Sequence, residues 1–408
     1  MSANATFEYA VRDRSGKIVT GKIEADSPAA VASKLKGMGY APVKIHEIKT
    51  GGMSMAIKIP KLGAKVSLKE MAVFARQFST MLGAGLSLLR ALSILEEQTE
   101  NKDFAKTLTA VREDVEVGNA LSTSLSKHPA YFPPLMINMV KAGEVGGFLD
   151  GVMIQIADNF EADHKLRAKV KSAMTYPVVV FCMAILAVVA MLIFVVPTFA
   201  AMFQNLGGEL PLPTQILVAM SNGLKTGGPV LLVLCVVGYV VWHRVKHTER
   251  VRGFLDPLKL KLPVFGGLFQ KIAISRFTRN LGTMVASGVP ILQSLDIVAD
   301  TTGNIVVREA VRDIQNSVRN GESLSAPLAN HKVFPAMVVQ MMAVGEDTGA
   351  LDTMLHKISD FYDQEVESTA DALASLIEPL MIAFLGGIIG AMIIALYMPI
   401  FKIFDLIK

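Results

Sequence analysis

From Val178 to Val196 the chain presents no polar side chain, an unbroken apolar run close to the roughly 20 residues a helix needs to cross a bilayer. Inside hydrocarbon every backbone N–H and C=O must find its partner within the segment, which leaves a helix as the practical fold for such a run. A second run, Pro379 to Pro399, holds no charge between its two prolines. A third, Pro229–Trp242, is short and reaches full length only by including Gly227, Gly228 and Lys225. The whole chain agrees with a membrane reading: 51% of its residues are hydrophobic, 19% are charged and the mean hydropathy is +0.44. A net charge of +4 is too small at this length to point to nucleic acid. Cys182 and Cys235 both fall inside apolar runs, with no His or Cys at metal-ligand spacing, and are expected to be buried thiols. The opening MSANATFEYA has no apolar core of the kind a cleaved signal needs, so insertion is expected through the internal spans.

Flanking charge sets a direction. Lys165, Arg167, Lys169 and Lys171 lead into the first run, and His243, Arg244, Lys246, Arg250 and Arg252 follow the short one. Between them, residues 198–228 carry one basic residue, Lys225. Short loops rich in Lys and Arg stay in the cytoplasm, which predicts the N-terminus inside, the C-terminus outside and residues 198–228 outside. Lys402 and Lys408 in the tail oppose this orientation but are outnumbered.

A duplication supports the short middle run as the second span. FARQFSTMLGAGLSLLRALSIL (Phe74–Leu95) aligns with FTRNLGTMVASGVPILQSLDIV (Phe277–Val298), 203 positions on, with Phe74/Phe277, Arg76/Arg279, Gly85/Gly288 and Leu92/Leu295 among the identities. Gly118/Gly321, Leu121/Leu324 and His128/His331 keep that offset. After one deletion, AGEVGGFLD (Ala142–Asp150) matches VGEDTGALD (Val344–Asp352) at 202, and so does Pro177 with Pro379. Homologous modules belong in one compartment, which needs an even number of crossings between them and makes Pro229–Trp242 a true span. Inside each module the apolar period is helical, as with Phe74, Phe78, Met81 and Leu82, then Leu88, Leu92 and Leu95. Breaks at Gly83–Gly85 and Ser287–Gly288 read as tight helix–helix turns.

The first fifty residues differ. Phe7, Tyr9 and Val11 alternate as in a strand, residues 13–16 read as a turn, and 18–23 as a second strand. Ser27–Pro28 reads as a helix start, Val31, Leu35 and Met38 as one face, Gly39 as the stop, and residues 43–48 as a last strand. The expected fold class is therefore mainly α: a polytopic membrane protein with three transmembrane helices, two homologous cytoplasmic antiparallel helical bundles and a small α/β N-terminal domain. The expected segments are the N-terminal domain at 1–50, a linker at 51–66, the first bundle at 67–172 and the first span at 174–198. An extracytoplasmic segment at 199–224, the second span at 225–243, the second bundle at 270–375 and the third span at 377–401 complete the order.

The order of small domain, bundle, span, outer loop, span, bundle and span resembles the PilC/GspF family, the platform proteins of type IV pilus and type II secretion machines. The twin GE-x-x-G-x-L-D segments, PTFAAMFQNLGGELPLPT (Pro197–Thr214) and FEYAVRDRSGKIVTGKIEADS near the start carry the resemblance, which covers nearly the whole chain. It implies a protein of the inner membrane with no catalytic residues, no cofactor and no bound metal, working with a cytoplasmic assembly ATPase, pilin or pseudopilin subunits, other inner-membrane components, membrane lipid and copies of itself. Pilus assembly is the leading function, and the secretion-system platform is its alternative. The residues agree: no phosphate-binding GxxxxGK[ST] loop is present, and no acidic, basic or His cluster lies in a span. A small-solute transporter suffers from having only three spans and a membrane protease from having no nucleophile or metal motif in them.

Candidate residues follow from the repeat. Gly143, Glu144 and Gly147, with Gly345, Glu346 and Gly349, read either as helix-ending turns whose carboxylate caps backbone N–H groups, or as an exposed acidic contact for the ATPase or the partner module, or as a cation site. The turn reading leads, because duplication by itself copies a folding feature. Arg76 and Arg279, on the first helix of each module, read as a solvated basic face or as a contact with an acidic partner. His128 and His331 read as loop packing. Gly386 and Gly390 form a G-x-x-x-G in the third span and read as close helix packing, within the chain or between copies.

Overall fold

The structure, a computed structural model, describes residues 5–12, 18–25, 28–37, 41–48, 66–205, 210–246, 248–263 and 265–406. The turn expected at 13–16, the Ser27 cap, Met38 and Gly39, the linker up to residue 65, and residues 206–209 of the outer segment lie outside that set.

Residues 1–63 and 64–408 are separate compact units. In the first, strands β1 (Ala5–Arg12), β2 (Ile18–Ala25) and β3 (Ala41–Ile48) form an antiparallel sheet in the order β2-β1-β3, with helix α1 (Pro28–Gly37) between β2 and β3 in sequence. Phe7 pairs with Ile23 and Tyr9 with Ile45, and the β1–β3 register shifts at Ala10/Val11. Val31 and Leu35, one helical turn apart, are the buried face of α1.

In the second unit the first module is six helices: α2 (Leu68–Gly83), α3 (Leu88–Gln98), α4 (Lys102–Glu116), α5 (Leu121–Ser126), α6 (Pro134–Gly146) and the opening of α7 (Leu149–Ala190). Ser67 and Glu70 start α2 with a reciprocal cap: Ser67 Oγ accepts from the Glu70 N–H at 3.1 Å, and Glu70 Oε2 accepts from the Ser67 N–H at 2.6 Å. Those bonds, Ser67's first, hold the Glu70 carboxyl below its ordinary pKa. Phe74, Phe78, Phe104 and Phe132 form the core, with Phe74 edge-on to Phe104 at 5.3 Å between centroids.

The chain continues from α7 through a π-helical turn (Met191–Val195) into α8 (Val196–Asn205), then α9 (Leu212–Val245) and α10 (Glu249–Lys261). The second module repeats the first: α11 (Phe265–Ala286), α12 (Ile291–Thr301), α13 (Ile305–Arg319), α14 (Ser325–Leu328), α15 (Ala336–Thr348) and the opening of α16 (Leu351–Leu406). Gly85 (φ 81°) and its counterpart Gly288 (φ 73°) turn α2 into α3 and α11 into α12 through the left-handed region, where a side chain is strained. One buried core runs through both modules.

Among the described residues, three helices are long and apolar enough to cross a membrane. All three extend beyond the expected spans. The bundle and the membrane segment are one helix: α7 runs without a break through Pro177, and α16 passes through Pro379 and Pro399. A proline costs one backbone bond and a bend, which a long helix packed on a neighbour absorbs. The middle helix, short by composition, is 34 residues long, with Pro229 in its interior rather than at its mouth. Cys182 and Cys235 are exposed on α7 and α9, not buried. On a membrane helix an apolar residue is satisfied by lipid, so apolar surroundings in sequence do not imply a protein neighbour.

Candidate functional site

The twin GE-x-x-G segments end α6 and α15 and turn the chain into the two long helices. Gly147 (φ 74°) and Gly349 (φ 71°) supply the left-handed C-cap. Gly143 and Gly345 act by size: a Cβ on Gly143 would lie 3.0 Å from Val152 Cγ2, and one on Gly345 would lie 3.0 Å from Met354 Cβ. Each glycine thus lets its helix touch the long helix that follows. Between them, the glutamates reach back to the short helix of their own module. Glu144 accepts the Leu121 N–H at 2.5 Å and the Ser122 N–H at 3.1 Å. Glu346 accepts the Leu324 N–H at 2.7 Å, the Ser325 N–H at 3.1 Å and the Ser325 hydroxyl at 2.9 Å. Each carboxylate is a forked cap on N–H groups that a helix start leaves without intrahelical partners. Both oxygens of each are engaged within the module.

Arg76 and Arg279 depart from the solvated face. Arg76 donates from Nε and Nη2 to both oxygens of Glu161, at 2.6 and 2.7 Å, and from Nη2 to Asp158 at 2.5 Å. Glu161 and then Asp158 strengthen its hold on its proton, and Arg76 in turn lowers the Glu161 pKa. Arg279 is buried; its Nη2 donates to Asp363 and to Ser275 Oγ, and Ser275 Oγ donates to Asp363 at 2.5 Å. Glu161 and Asp363 are repeat equivalents, 202 positions apart. In both modules, then, an arginine on the first helix is clamped to an acid on the long helix, because α2 packs along α7 and α11 along α16. His331 Nε2 lies 3.7 Å from Asp313.

The modules meet where α7 runs along α11 and α16. Asn159 donates to Asn280 Oδ1 at 3.1 Å and Thr283 Oγ1 at 3.3 Å, Ser287 donates to Gln155, and Arg276 pairs with Asp163 at 3.1 Å. Burial lowers the Arg276 pKa, opposed by Asp163. Farther toward the membrane Lys169 pairs with Glu367, which bridges α7 to α16 and lowers the Glu367 pKa. A cleft of about 510 Å³ opens beside it, lined by Lys165, Asp360, Asp363 and Glu367. The shared repeat offset of Glu161 and Asp363 is a sequence signal for the arginine clamps within the modules, not for these contacts between them.

At the end of the spans remote from the bundles, Leu192 and Val196, Leu217, and Met392, Ala395 and Leu396 interlock, and Thr214 Oγ1 donates to the Ala395 carbonyl at 2.5 Å. The π-helical turn sits in this contact. Gly386 and Gly390 take no part: among the described residues a Cβ on either would meet nothing within 4 Å, so packing among them does not explain these glycines.

The family model for type II secretion system protein F matches residues 74–197 and again 277–399, and the model for the N-terminal domain of that protein matches residues 4–46. The chain is 44% identical to the type IV pilus assembly protein PilC of Thermus thermophilus, over 97% of its own length and 98% of that protein. It is 42% identical to the protein of the same name from Myxococcus xanthus, over 98% and 95%. It is 33% identical to type II secretion system protein F of Vibrio cholerae, over 99% and 100%.

Proposed function

Because the chain belongs to the PilC/GspF family of membrane platform proteins, we propose that it is the platform of a type IV pilus assembly machine, coupling a cytoplasmic assembly ATPase to the extraction and polymerisation of membrane-anchored pilin subunits. The observation that carries the coupling is continuity. A helix of 55 residues, Leu149–Phe203, and one of 51, Leu351–Phe401, each begin in a bundle and end across the apolar segment. At 1.5 Å per residue each extends roughly 75–85 Å. The two are tied together by Lys169–Glu367 and by the module contacts. A load on the bundles therefore moves the spans as a unit, with no flexible joint to absorb it. In this reading the bundles at 67–172 and 270–375 are cytoplasmic, the N-terminus is inside and the C-terminus outside, and the chain performs no chemistry of its own. Higher identity to the pilus proteins than to the secretion protein favours pilus assembly over secretion.

The test is purification of the tagged full chain from native membranes in mild detergent, with mass spectrometry of what accompanies it. An assembly ATPase together with a pilin supports the proposal. A pseudopilin in its place would assign the chain to secretion. Recovery of neither, after cross-linking, would remove the coupling mechanism and return the transporter to consideration.

A further inference from the structure

Where the two long helices enter the apolar segment, the duplication sets equivalent positions face to face. Pro177 and Pro379 are repeat equivalents, and so are the residues before them, Tyr176 and Glu378. The Tyr176 hydroxyl approaches Glu378 Oε1 at 3.5 Å, a weak contact at the edge of hydrogen-bond range. Around it lies an apolar notch of about 60 Å³ between α7 and α16, floored by Pro177, Val180, Met381 and Leu385. It is too small for a soluble ligand, but it suits side chains of a helix laid along it.

Two observations say what fits there. The first is coverage. The second span, α9, meets the first through the π-helical turn and α8 and packs with the third at the far end, where Leu217 and Thr214 are buried. At the level of the notch the flanking Val178, Val179 and Ile382 are more than half exposed, so the chain leaves this stretch to something in the membrane. The second is charge. Glu378 is exposed, forms no ion pair among the described residues, and is the last charge before the apolar segment of α16. In the orientation proposed above it stands at the cytoplasmic membrane surface, where anionic lipids disfavour a carboxylate and basic residues are the norm.

We infer that the Tyr176–Glu378 notch is the docking groove for the membrane-anchored client subunit, receiving the cytoplasmic end of a single apolar spanning helix whose positive charge pairs with Glu378. The inference rests on the platform reading, since it is the platform's client that supplies the helix. The apolar walls take the helix side chains, and the carboxylate sets its depth by fixing the charged end at the interface. Pairing there desolvates Glu378 only partly, so the contact is reversible, as a subunit in transit requires.

The experiment places a photo-cross-linking benzoylphenylalanine at Ile382 in the full chain, expressed in membranes with its pilin, and a second at Val236 on α9 as a control. The expected result is a pilin adduct from position 382 and none from 236, with the yield from 382 falling about tenfold or more in Glu378→Lys, as like charges are brought together, and persisting in Glu378→Asp. Glu378 is at the surface, so these variants fold, and an unchanged melting temperature in detergent checks it. An adduct at 382 with a second copy of this chain, adducts with lipid alone, or a pilin yield unaffected by Glu378→Lys overturns the groove. If pilin still co-purifies with the unmodified chain in those cases, the platform reading survives without it. If pilin neither co-purifies nor cross-links, both fall.

Discussion

Replacing Glu144 by Ala should loosen one short helix and leave the rest of the first module in place. The carboxylate spans Leu121 N–H and Ser122 N–H, at 2.5 and 3.1 Å, across a sequence separation of 22 to 23 residues. A hydrogen bond to a charged acceptor contributes about 1.5–3 kcal/mol, and loss of a helix cap about 0.5–2 kcal/mol. Glu144 is half-buried, so water replaces part of what is lost, and about 2 kcal/mol is a reasonable net cost for the fork. At 1.36 kcal/mol per decade this is roughly a thirtyfold rise in local opening. The assay is hydrogen–deuterium exchange read by mass spectrometry on peptides covering α5. Amides of residues 122–126 should exchange some thirtyfold faster, while α2 and α3 are unchanged. Glu346→Ala should do the same to α14, slightly more strongly, since the Ser325 hydroxyl also loses its acceptor. Unaltered exchange in α5, combined with loss of the ATPase from the purified complex, would refute the cap and restore the acidic-contact reading.

The arginine clamps give a pH prediction. Arg76 holds the Glu161 pKa below its ordinary value, so the stabilisation is present above the unfolded carboxyl pKa and is lost as pH falls through the lowered one. The melting-temperature advantage of the native chain over Arg76→Met should therefore shrink on acidification below about pH 4.3; a gap independent of pH contradicts it. In the second module Arg279→Met leaves Asp363 without its cation, at a cost near the low end of about 3–5 kcal/mol, and adding Asp363→Asn should recover part of it, measured as a double-mutant cycle in detergent. Gly349→Val should cost at least about 1–2 kcal/mol through its left-handed φ, read as a lower melting temperature. Gly386→Leu should leave the melting temperature of the chain unchanged, because nothing among the described residues lies within 4 Å, and should reduce the mass of the solubilised assembly by light scattering.

What the sequence determined by itself are the features written in local chemistry. Apolar runs without charge can only be helices in a bilayer, and the duplicated motifs, with glycines at Gly147 and Gly349, mark the same turn twice because only glycine holds that φ without strain. The tertiary structure decided where side chains ended. Arg76 and Arg279 sit on ordinary amphipathic helices, and nothing nearby in sequence announces that Glu161 and Asp363 lie alongside; that depends on how two helices far apart in the chain are packed. For Glu144 the sequence pointed to a carboxylate capping backbone N–H groups, but only the fold shows that those groups belong to the start of α5. The bundle-to-span continuity was hidden because the basic stretch from Lys165 to Lys171 looks like a boundary, whereas charged residues tolerate a helix well and only the absence of a cap distinguishes the two. Whether an apolar residue such as Cys182 or Gly386 meets protein or lipid is likewise not legible in sequence, since hydrocarbon and a protein core select the same residues, and only packed neighbours tell them apart.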